Sequence, residues 1–505
     1  MSALDPSVIV GVVGAGAMGA GIAQVAARAG HRVLIQDARA GAADAACGRI
    51  RADLDKLAAK GRLSPEDAAA AGGRLVPVEA TADLAPAGLV IEAIVEDLDV
   101  KRALFGALEA VVAPDAILAT NTSSLSITAI AAGAARPERI AGLHFFNPAP
   151  IMALVEVISG LATAPEVATR LVETANAWGK APVRARSTPG FIVNRVARPF
   201  YAEGLRLCEE GAADPATLDA VMREAGGFRM GPFELMDLIG HDVNAAVTRS
   251  VFDAYFGDPR FRPSLVQQEL VAAGWLGRKT QRGFYDYRPG AAAPAARDLP
   301  AAPAPRAVGI AGDLGPAAPL ADRAAAAGLS VTRGPGDGLI RLDGATLALT
   351  DGRSATVRAA ETGIADLVLF DLARDFAAAP RLALAKADAA PDTALAVAAG
   401  FVQALGKRAS ALADRPGLAV MRTLAMLANE ACEAVLQQVA APADIDRAMT
   451  AGVNYPQGPL AWADAVGAAR LLGVLAALQA ETGDDRYRPS AHLRRHVAAA
   501  RPLSV

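Results

Sequence analysis

The sequence predicts four successive folding units: an α/β domain, an all-α domain, a shortened α/β domain and a second all-α domain. Three observations predict this order. A β-branched run at residues 7–13 leads into a glycine-rich turn and an alanine-rich helix. An Ala/Pro-rich stretch at residues 288–305 predicts an extended linker. Beyond the linker, segments of the first half recur at an offset of 227 residues, the difference between positions 404 and 177.

Composition limits the classes of protein to which this chain can belong. At 505 residues it is too long for one hydrophobic core, and a net charge of −3 gives no general attraction to nucleic acid or to an anionic membrane. Its three cysteines fit neither a disulfide framework nor a metal site. The first residues lack a basic segment followed by an apolar helix. We therefore expect a cytoplasmic protein with no metal and with neither a membrane nor a nucleic acid as partner.

A glycine fingerprint occupies the turn after the first predicted strand. It is Gly14-Ala15-Gly16-Ala17-Met18-Gly19, and a second predicted strand at residues 32–36 completes the β–α–β context. The first glycine permits the tight turn, the second lets backbone N–H groups approach a pyrophosphate, and the third lets the helix lie close to the strand. The pattern predicts a Rossmann domain that binds a dinucleotide. The alternative is a purely structural β–α–β unit.

Asp37 ends the second predicted strand, 18 residues beyond Gly19. An acid at this place accepts hydrogen bonds from the adenosine ribose and repels a 2′-phosphate. The sequence therefore favours NAD over NADP as the cofactor. Arg39, two residues later, is a counter-argument, because an arginine there can accommodate the 2′-phosphate.

Polar residues follow the later strands of the predicted sheet. Residues 40–85 are predicted to be helical, with Lys56 on a solvated face, and strands are predicted at 88–96 and 116–120. The second of these strands ends in Asn121-Thr122-Ser123-Ser124. At the carboxyl edge of a parallel sheet, such residues reach the ligand crevice. An ordinary helix N-cap is the alternative, and both can hold for different members of the cluster.

His144 and Glu156 lie on opposite sides of a proline-bounded turn. Residues 144–156 are predicted to form a strand, a tight turn and a second short strand, so the histidine and the acid can meet across the turn. A histidine oriented by a carboxylate works as a general base or acid near neutral pH. The alternative is a buried histidine in a hairpin, with Glu156 as a solvated strand residue.

Asn194 stands at an unusual place for an asparagine. A long helix is predicted after Pro189-Gly190, ending near residue 210, and Asn194 lies in its first turn beside an apolar run. Asparagine is a poor helix former and needs a reason to be there. A structural hydrogen bond is one reason, and contact with a bound substrate is another.

Several motifs occur in one order along the first 287 residues. They are the glycine fingerprint, Glu92-Ala93-Ile94-Val95-Glu96, Asn121-Thr122-Ser123-Ser124-Leu125, residues 144–156, residues 189–195, Gly231-Pro232-Phe233-Glu234-Leu235 with Asp237, and Gly277-Arg278-Lys279. In this order they closely resemble the L-3-hydroxyacyl-CoA dehydrogenase family. The number of motifs, spread over more than half of the chain, argues against a chance match.

The resemblance implies NAD-dependent oxidation of an L-3-hydroxyacyl-CoA, bound between the Rossmann and helical domains, to the 3-oxoacyl-CoA. It implies that His144 is the catalytic histidine, that Glu156 is its acidic partner, and that Ser123 and Asn194 touch the substrate. The positions implied around NAD, besides the fingerprint, are Asp37, Glu96, Lys101, Ser123 and Asn147, and those implied near CoA are Lys56, Lys101 and Ser123. In this scheme His144 accepts the proton of the 3-hydroxyl group while hydride leaves C3 for the nicotinamide.

A second copy of the helical domain is predicted at residues 404–505. Pro416-Gly417 repeats Pro189-Gly190 at the common offset, and further matches continue the register towards the C-terminus. Met421 stands at the position of Asn194, so this copy is predicted to be non-catalytic.

A reduced Rossmann-like domain is predicted at residues 306–403. Its first strand and turn are degenerate, with Leu314 where Gly16 would be. The segment is too short for a whole nucleotide domain, and nothing in it resembles the stretch at residues 144–156. The sequence therefore predicts one active site per chain, centred on His144.

The remaining boundaries follow from these segments: a NAD-binding Rossmann domain at 1–186, a helical domain at 187–287 and the linker at 288–305. The two helical copies are predicted to pack on one another within one chain, as a pseudo-dimer, and the whole chain can also form a homo-oligomer. Length and domain order also resemble the long bacterial 3-hydroxyadipyl-CoA and 3-hydroxybutyryl-CoA dehydrogenases, including those of phenylacetate degradation.

Two other functions remain open at this point. One is NAD-dependent oxidation of a free 3-hydroxy acid, as in the lambda-crystallin-like relatives that share this fold. The other is a non-catalytic NAD-binding protein, although the complete set of Ser123, His144, Glu156 and Asn194 argues against it.

Overall fold

Runs of β-branched residues form strands, and alanine-rich amphipathic segments form the helices between them. The computed structural model describes residues 2–505. Contacts divide this chain into two units: residues 2–195 with 437–453, and residues 196–436 with 454–505. Each unit has its own β-sheet.

The chain up to residue 196 forms eight strands and seven α-helices. In order they are β1 Ile9–Val13, α1 Ala17–Arg28, β2 Val33–Gln36, α2 Ala42–Ala59, α3 Pro65–Gly73, β3 Leu75–Val78, β4 Ala87–Glu92, α4 Leu98–Glu109, β5 Ile117–Thr120, α5 Ile127–Ala131, β6 Ile140–Phe145, β7 Leu154–Ser159, α6 Pro165–Ala177, β8 Ala181–Arg186 and α7 Val193–Val196.

The first sheet has the strand order β3-β2-β1-β4-β5-β6-β7-β8. Its pairs are parallel except for β6 and β7, which run antiparallel. This is the predicted Rossmann sheet, whose parallel strands end at one edge, where ligands bind. The prediction that residues 40–85 are wholly helical is wrong, because β3 lies within them. β3 is short and contains Pro77, which lacks an N–H but is tolerated in this edge strand.

The rest of the chain forms seven strands and thirteen α-helices. In order they are α8 Arg198–Glu209, α9 Pro215–Glu224, α10 Pro232–Ile239, α11 His241–Ala254, α12 Leu265–Ala272, β9 Ala307–Gly312, α13 Pro319–Ala326, β10 Ser330–Gly334, β11 Asp337–Leu342, β12 Ala345–Leu349, α14 Ala355–Thr362, β13 Leu367–Phe370, β14 Arg381–Lys386, α15 Asp392–Ala404, β15 Arg408–Ala411, α16 Val420–Leu436, α17 Pro442–Val453, α18 Pro459–Val466, α19 Ala468–Thr482 and α20 Ala491–Ala498.

The second sheet, in the order β10-β9-β11-β12-β13-β14-β15, is the predicted reduced Rossmann-like sheet. β9 and β10 are parallel, as expected of a first β–α–β unit. β11 takes the place that β4 has in the first sheet, but it runs antiparallel to both of its neighbours. From β12 to β15 the pairing is parallel, antiparallel and parallel, as it is from β5 to β8.

The helical repeat is confirmed, since α16–α20 follow the order of α8–α12. Pro232 begins α10 and Pro459 begins α18, at the common offset. One long helix was predicted after Pro189-Gly190, but in the first copy it is divided into α7 and α8. Pro199 lies in the first turn of α8, where its missing N–H costs nothing. The second copy has Met426 at that position, and its helix α16 is continuous.

Within the second unit, the two helical copies pack through α8 and α16. The buried Arg422 of α16 donates through Nε to Glu203 of α8 at 2.8 Å, and its other nitrogens bond Glu210. In the same unit α9 packs on β14, where Glu224 pairs with Arg381 at 3.0 Å. In the first unit, correspondingly, α17 packs on β7 and β8.

No single helix among residues 2–505 is long and apolar enough to cross a membrane. One pair of helices, α18 and α19, passes this test together by length and composition only, and it is bent by 96°.

Candidate active site

The glycine fingerprint forms the turn between β1 and α1. Gly14 has a φ of +104°, and a Cβ on it would lie 2.4 Å from the Ala93 carbonyl oxygen. A Cβ on Gly19 would lie 1.8 Å from the Gly14 oxygen, so both positions require glycine. A Cβ on Gly16 would meet no atom within 4 Å, so the space at the N-terminus of α1 is open. This geometry fits a dinucleotide pyrophosphate, which the N–H groups of the helix attract.

Asp37 follows β2 and keeps its negative charge. It accepts hydrogen bonds from the Ala15 N–H at 2.8 Å and from the Arg39 N–H at 2.9 Å. Burial raises the pKa of Asp37, but the bonds from Arg39 and Ala15 outweigh burial and lower the pKa to about 2. The Arg39 side chain pairs with this carboxylate at 3.1 Å. The carboxylate that favours NAD is therefore present, and the arginine that argued against NAD is engaged with it.

Lys101 is buried, with 1% of its side chain exposed, in a network of carboxylates after β4. Its Nζ lies 2.6 Å from Glu92 and 3.3 Å from Glu96. Glu92 also accepts hydrogen bonds from the Thr120 hydroxyl and the Ile94 N–H, both at 2.7 Å. A buried ion pair persists only where its polar atoms are satisfied in this way. Sequence reasoning missed Glu92; the signal was an acid ending a buried apolar strand, nine residues before a lysine.

Glu96 holds the polar cluster that follows β5. Its Oε1 accepts hydrogen bonds from the Thr122 hydroxyl at 2.6 Å, the Ser123 N–H at 3.1 Å and the Ser124 N–H at 3.2 Å. Burial raises the pKa of Glu96, but the bond from Thr122, the charge of Lys101 and the bond from Ser124 lower it further, and the net shift is downward. An anionic side chain thus fixes the loop that carries Ser123.

The N-cap alternative for residues 121–124 does not describe this cluster. The N-cap of α5 is Ser126, whose hydroxyl accepts a hydrogen bond from the Ala129 N–H. Asn121 instead accepts a bond from the Phe145 N–H at 2.8 Å and so ties the end of β5 to the strand of the histidine. Sequence reasoning did not assign this role to Asn121.

His144 on β6 lies directly opposite Glu156 on β7. The two residues are partners in the antiparallel register, and Nδ1 of His144 is 2.7 Å from Oε2 of Glu156. Both side chains are buried, with 7% and 1% exposed, so the alternative of a solvated glutamate is wrong. The rings of Phe146 and Phe191 lie 4.5 Å and 6.0 Å from the imidazole. Within residues 2–505, the pairing at Nδ1 leaves Nε2 without a hydrogen-bond partner.

Glu156 also anchors the N-terminus of α7. Its second oxygen, Oε1, accepts hydrogen bonds from the Ile192 and Val193 N–H groups, each at 3.0 Å. A carboxylate at a helix N-terminus satisfies N–H groups that the helix itself leaves unpaired. One carboxylate therefore orients the imidazole with one oxygen and fixes the start of the helix that carries Asn194 with the other.

Asn194 reaches the loop of Ser123. Its Nδ2 lies 3.4 Å from the Ser123 carbonyl oxygen, and its side chain is half-buried. A chain of contacts therefore runs from His144 through Glu156 and α7 to Asn194 and Ser123, all within the first unit. The structure brings these four sequence-predicted residues together.

Two other predicted residues are on the surface. Lys56 on α2 is 69% exposed and pairs with Asp53 at 2.9 Å. Asn147, in the turn after β6, is exposed as well. Among residues 2–505, no hydrogen bond or ion pair joins either side chain to the His144–Glu156 pair. In the same described range, no group of three or more His, Cys, Asp or Glu side chains is placed to hold a metal ion.

The second sheet contains a counterpart of the β6–β7 pair. β13 and β14 are antiparallel, and the N–H of Asp371, just after β13, donates to the Ala383 carbonyl oxygen at 3.0 Å. Ala383 is the residue that corresponds to Glu156 at the common offset, so Asp371 occupies the place of His144. The β13–β14 segment therefore has no sequence resemblance to residues 144–156, as predicted, but it has the same antiparallel topology, which was not predicted.

Asp371 has taken over the anchoring role of Glu156. Its carboxylate accepts hydrogen bonds from the Ala419, Val420 and Met421 N–H groups, at 2.9, 2.7 and 3.1 Å, at the start of α16. Burial raises the pKa of Asp371 to about 6, and the backbone N–H groups offset only part of this rise. The second half thus keeps a carboxylate at the helix N-terminus but has neither the histidine nor the asparagine.

Models of known families match three parts of the chain. The model described as "3-hydroxyacyl-CoA dehydrogenase, NAD binding domain" matches residues 9–188. The model described as "3-hydroxyacyl-CoA dehydrogenase, C-terminal domain" matches twice, at residues 190–287 and 417–502. The "3-hydroxybutyryl-CoA dehydrogenase reduced Rossmann-fold domain" matches residues 347–416. The predicted fold class, with its repeated helical domain, is confirmed.

Individual relatives match the whole chain or about half of it. The chain is 46% identical over 497 residues to a 3-hydroxyadipyl-CoA dehydrogenase of Escherichia coli (strain K12), covering 97% of both. A crystal structure of 3-hydroxybutyryl-CoA dehydrogenase from Escherichia coli K12 is also 46% identical, with a TM-score of 0.90, over 98% of this chain and 99% of that one. A probable 3-hydroxybutyryl-CoA dehydrogenase of Deinococcus radiodurans is 43% identical over 55% of this chain and 99% of its own.

Proposed function

Because the chain belongs to the 3-hydroxyacyl-CoA dehydrogenase family, and is therefore an NAD-dependent oxidoreductase, we propose that His144 is its general base and general acid. In oxidation, Nε2 of His144 accepts the proton of the 3-hydroxyl group, and in reduction it returns a proton to the oxygen. NAD, when bound, supplies the acceptor for the hydride that leaves C3.

The contact between His144 and Glu156 is the observation that carries this proposal. With Nδ1 engaged at 2.7 Å by a buried carboxylate, the neutral ring holds its proton on Nδ1 and presents an Nε2 lone pair. The anionic Glu156 stabilises the imidazolium that proton uptake creates, and burial strengthens this attraction. Comparing His144→Gln with the unchanged protein in NADH oxidation tests the assignment.

Ser123 and Asn194 are proposed to position the reacting oxygens. The Ser123 hydroxyl and the Asn194 amide are polar groups on two elements that Glu96 and Glu156 fix in place. Hydrogen bonds from such fixed donors hold the carbon centre in a reactive geometry and stabilise charge that develops on oxygen.

The cofactor is proposed to lie along the fingerprint Gly14-Ala15-Gly16-Ala17-Met18-Gly19, with Asp37 accepting from its ribose. The open space at Gly16 and the carboxylate at the end of β2 support this placement. Glu96, Ser123 and Asn147 are proposed to line the nicotinamide end. Lys101 is proposed to act through Glu96, since its burial and ion pairs fit a positioning role better than direct contact with NAD.

CoA is proposed to be held in part by Lys56. This side chain is exposed, and its ion pair with Asp53 is a surface pair of a kind that contributes about 0–1 kcal/mol. Its ammonium group can therefore turn to a phosphate of CoA at little cost. Lys101 is proposed to reach CoA only indirectly, through the loop of Ser123 that Glu96 holds.

The proposed acyl chain is either short or that of a 3-hydroxyadipyl group. Two relatives that match nearly the whole chain support both, since one is named a 3-hydroxyadipyl-CoA dehydrogenase and the other a 3-hydroxybutyryl-CoA dehydrogenase. Phenylacetate degradation, and fatty-acid or butanoate metabolism, are the corresponding proposed pathways. NADH oxidation measured in parallel with 3-oxoadipyl-CoA, acetoacetyl-CoA and free acetoacetate decides the substrate. Activity on acetoacetate alone would replace this proposal with that of a free 3-hydroxy acid dehydrogenase.

The two helical copies are proposed to form a pseudo-dimer within one chain, with the domain boundaries predicted from the sequence. The buried contact of Arg422 with Glu203 and the packing of α17 on β7 and β8 support this arrangement. The whole chain is also proposed to form a homo-oligomer. Sedimentation at micromolar concentration tests this, and the mass of a single chain would exclude it. A cytoplasmic location is also proposed, and it is supported by Cys47, Cys208 and Cys432, which form no disulfide within residues 2–505.

A further inference from the structure

A cavity of about 160 Å³ lies among the helices of the second unit, and none of the predicted site residues lines it. Five arginines line it: Arg198, Arg206, Arg260, Arg262 and Arg486. Two acids also line it, but Glu209 accepts a bond from the Ser264 hydroxyl and Glu210 pairs with Arg422. Arginines therefore outnumber acids in the lining by five to two.

Most of these arginines have a carboxylate of their own. Arg206 pairs with Glu203, Arg260 with Asp258 and Arg486 with Asp484. These three pairs balance their charges locally, so they do not by themselves require an anion in the cavity. They also hold the guanidinium groups in fixed positions.

Arg198 differs from them. Its Nη1 donates to the Thr248 hydroxyl at 3.2 Å, and its guanidinium lies 4.7 Å from the centre of the Tyr201 ring. No carboxylate among residues 2–505 forms an ion pair with it. Only 6% of Arg198 is exposed, and burial lowers the pKa of its guanidinium. A buried charge without a counter-charge costs several kcal/mol, which is rarely tolerated unless a ligand compensates it.

Three guanidinium nitrogens around this cavity lack a hydrogen-bond acceptor among the described atoms. Nε of Arg198, Nη2 of Arg206 and Nε of Arg486 are buried and have no hydrogen-bond partner among the described atoms. Each belongs to an arginine that lines the cavity. Buried N–H groups left without acceptors are uncommon in folded proteins, and three around one cavity call for a common acceptor.

We propose that this cavity binds one compact oxyanion, a carboxylate or a phosphate group, held by Arg198 with help from Arg206 and Arg486. Planar guanidinium groups suit both oxyanions, because their paired N–H groups match two oxygen atoms. The volume is below the ~300–1,000 Å³ of ordinary small-molecule pockets, which excludes a whole nucleotide. The anion is a free ion, either inorganic phosphate or a small carboxylate. The binding site stands independently of the proposed roles of His144 and Glu156.

The first test is thermal unfolding of the full chain in inorganic phosphate and in chloride at equal ionic strength. We expect phosphate to raise the Tm by about 1–3 °C, because a ligand that binds only the folded state stabilises it. Arg198→Met should abolish this rise and should itself raise the Tm in chloride, since it removes an uncompensated buried charge while keeping an apolar stem. Arg249→Gln, an exposed arginine beside Thr248 on α11, is the matched control and should respond to phosphate as the unchanged protein does.

An equal phosphate response in Arg198→Met, or no response in the unchanged protein to phosphate or adipate, would overturn the proposal. If Arg198→Met does not fold, crystals of the unchanged protein are soaked in selenate to test whether the cavity binds an oxyanion. Anomalous density in the cavity would support the proposed site, and the absence of such density would refute it. The same Tm measurement with adipate in place of phosphate identifies the chemistry of the anion. A larger rise with adipate assigns the cavity to a carboxylate, and a larger rise with phosphate assigns it to a phosphate group.

Discussion

The β6–β7 pair and the β13–β14 pair occupy corresponding places in the two sheets, between parallel neighbours. In the first pair His144 faces Glu156, and in the second Asp371 faces Ala383. In each case a carboxylate accepts backbone N–H groups at the start of the following helix. The long glutamate reaches that helix from the second strand, whereas the shorter aspartate does so from the end of the first.

The difference distinguishes the carboxylate, which the fold requires at the start of the helix, from the histidine, which proton transfer requires. A buried helix N-terminus leaves N–H groups that require an acceptor, so both halves retain an anion there. Proton transfer to a substrate needs a base with a free lone pair, and of the two strand pairs only β6–β7 has a histidine, since both oxygens of Asp371 already accept backbone N–H groups. The second half therefore keeps a carboxylate at the start of its helix but lacks the histidine. Four predictions test this contrast, in decreasing order of expected effect.

The largest effect is expected for His144→Gln. Glutamine cannot take up a proton, so kcat/KM for the 3-oxoacyl-CoA substrate should fall on the order of 10⁴-fold. The Kd for NADH, measured by fluorescence titration, should change little, because the fingerprint and Asp37 are untouched. His496→Gln, in the C-terminal helix α20, is the matched control and should keep normal turnover. Near-normal turnover in His144→Gln would remove the histidine from the mechanism.

Glu156 is expected to show two separable roles. In Glu156→Gln the side-chain oxygen can still accept from Ile192 and Val193, but the imidazolium loses its counter-charge, so kcat should fall on the order of 10³-fold with little change in stability. Glu156→Ala should lose similar activity and, in addition, about 1–2 kcal/mol of unfolding free energy in urea, because the start of α7 loses its acceptor. Equal stability of the two variants would mean that Glu156 does not stabilise the start of α7.

Asn194→Met gives the first helical copy the residue that the second copy has at the corresponding position, Met421. It should lower kcat/KM by about 10²-fold through the loss of a fixed polar donor, while unfolding in urea shifts by no more than ~1 kcal/mol. Met421→Leu makes a volume-conserving change at the corresponding buried position and should leave kcat/KM unchanged. A similar loss of activity in both variants would mean that the helices, rather than the amide, are responsible.

The smallest effect is a pH dependence of stability that belongs to the second half. The folded-state pKa of Asp371, about 6, lies above the ordinary aspartate value of 3.8, so between these values the folded chain binds more protons than the unfolded chain. The contribution of Asp371 to the unfolding free energy therefore falls as the pH rises from 4 to 6, by at most about 3 kcal/mol. Urea unfolding across this range should show a shallower decline in Asp371→Asn. An unchanged slope would assign the pH dependence to other groups.

Much of the first half follows from local sequence signals. The fingerprint Gly14–Gly19 and the turn between His144 and Glu156 depend on residue types at short spacing, and the structure gives both the predicted geometry. The repeat was visible because helix starts such as Pro232 and Pro459 keep their register. Such features survive in a sequence because each position is constrained by its immediate neighbours.

Features that depend on tertiary contacts were not predictable in this way. The buried ion pair between Lys101 and Glu92, nine residues earlier, was not foreseen from the sequence. Asp371 was missed as the counterpart of His144 because the two share a strand register and no chemical identity. Strand register across a sheet is set by burial and pairing with distant segments, which a local pattern does not contain.

We propose that one chain contains one catalytic site, centred on His144, and that the second half takes no part in proton or hydride transfer. Fluorescence titration of NADH into the full chain, with turnover measured on the same samples, tests it most directly. We predict one NADH bound per chain in both the unchanged protein and His144→Gln, with turnover lost in the variant. Two NADH molecules per chain would mean that the second half also binds cofactor, and substantial turnover in His144→Gln would mean that another group transfers the proton.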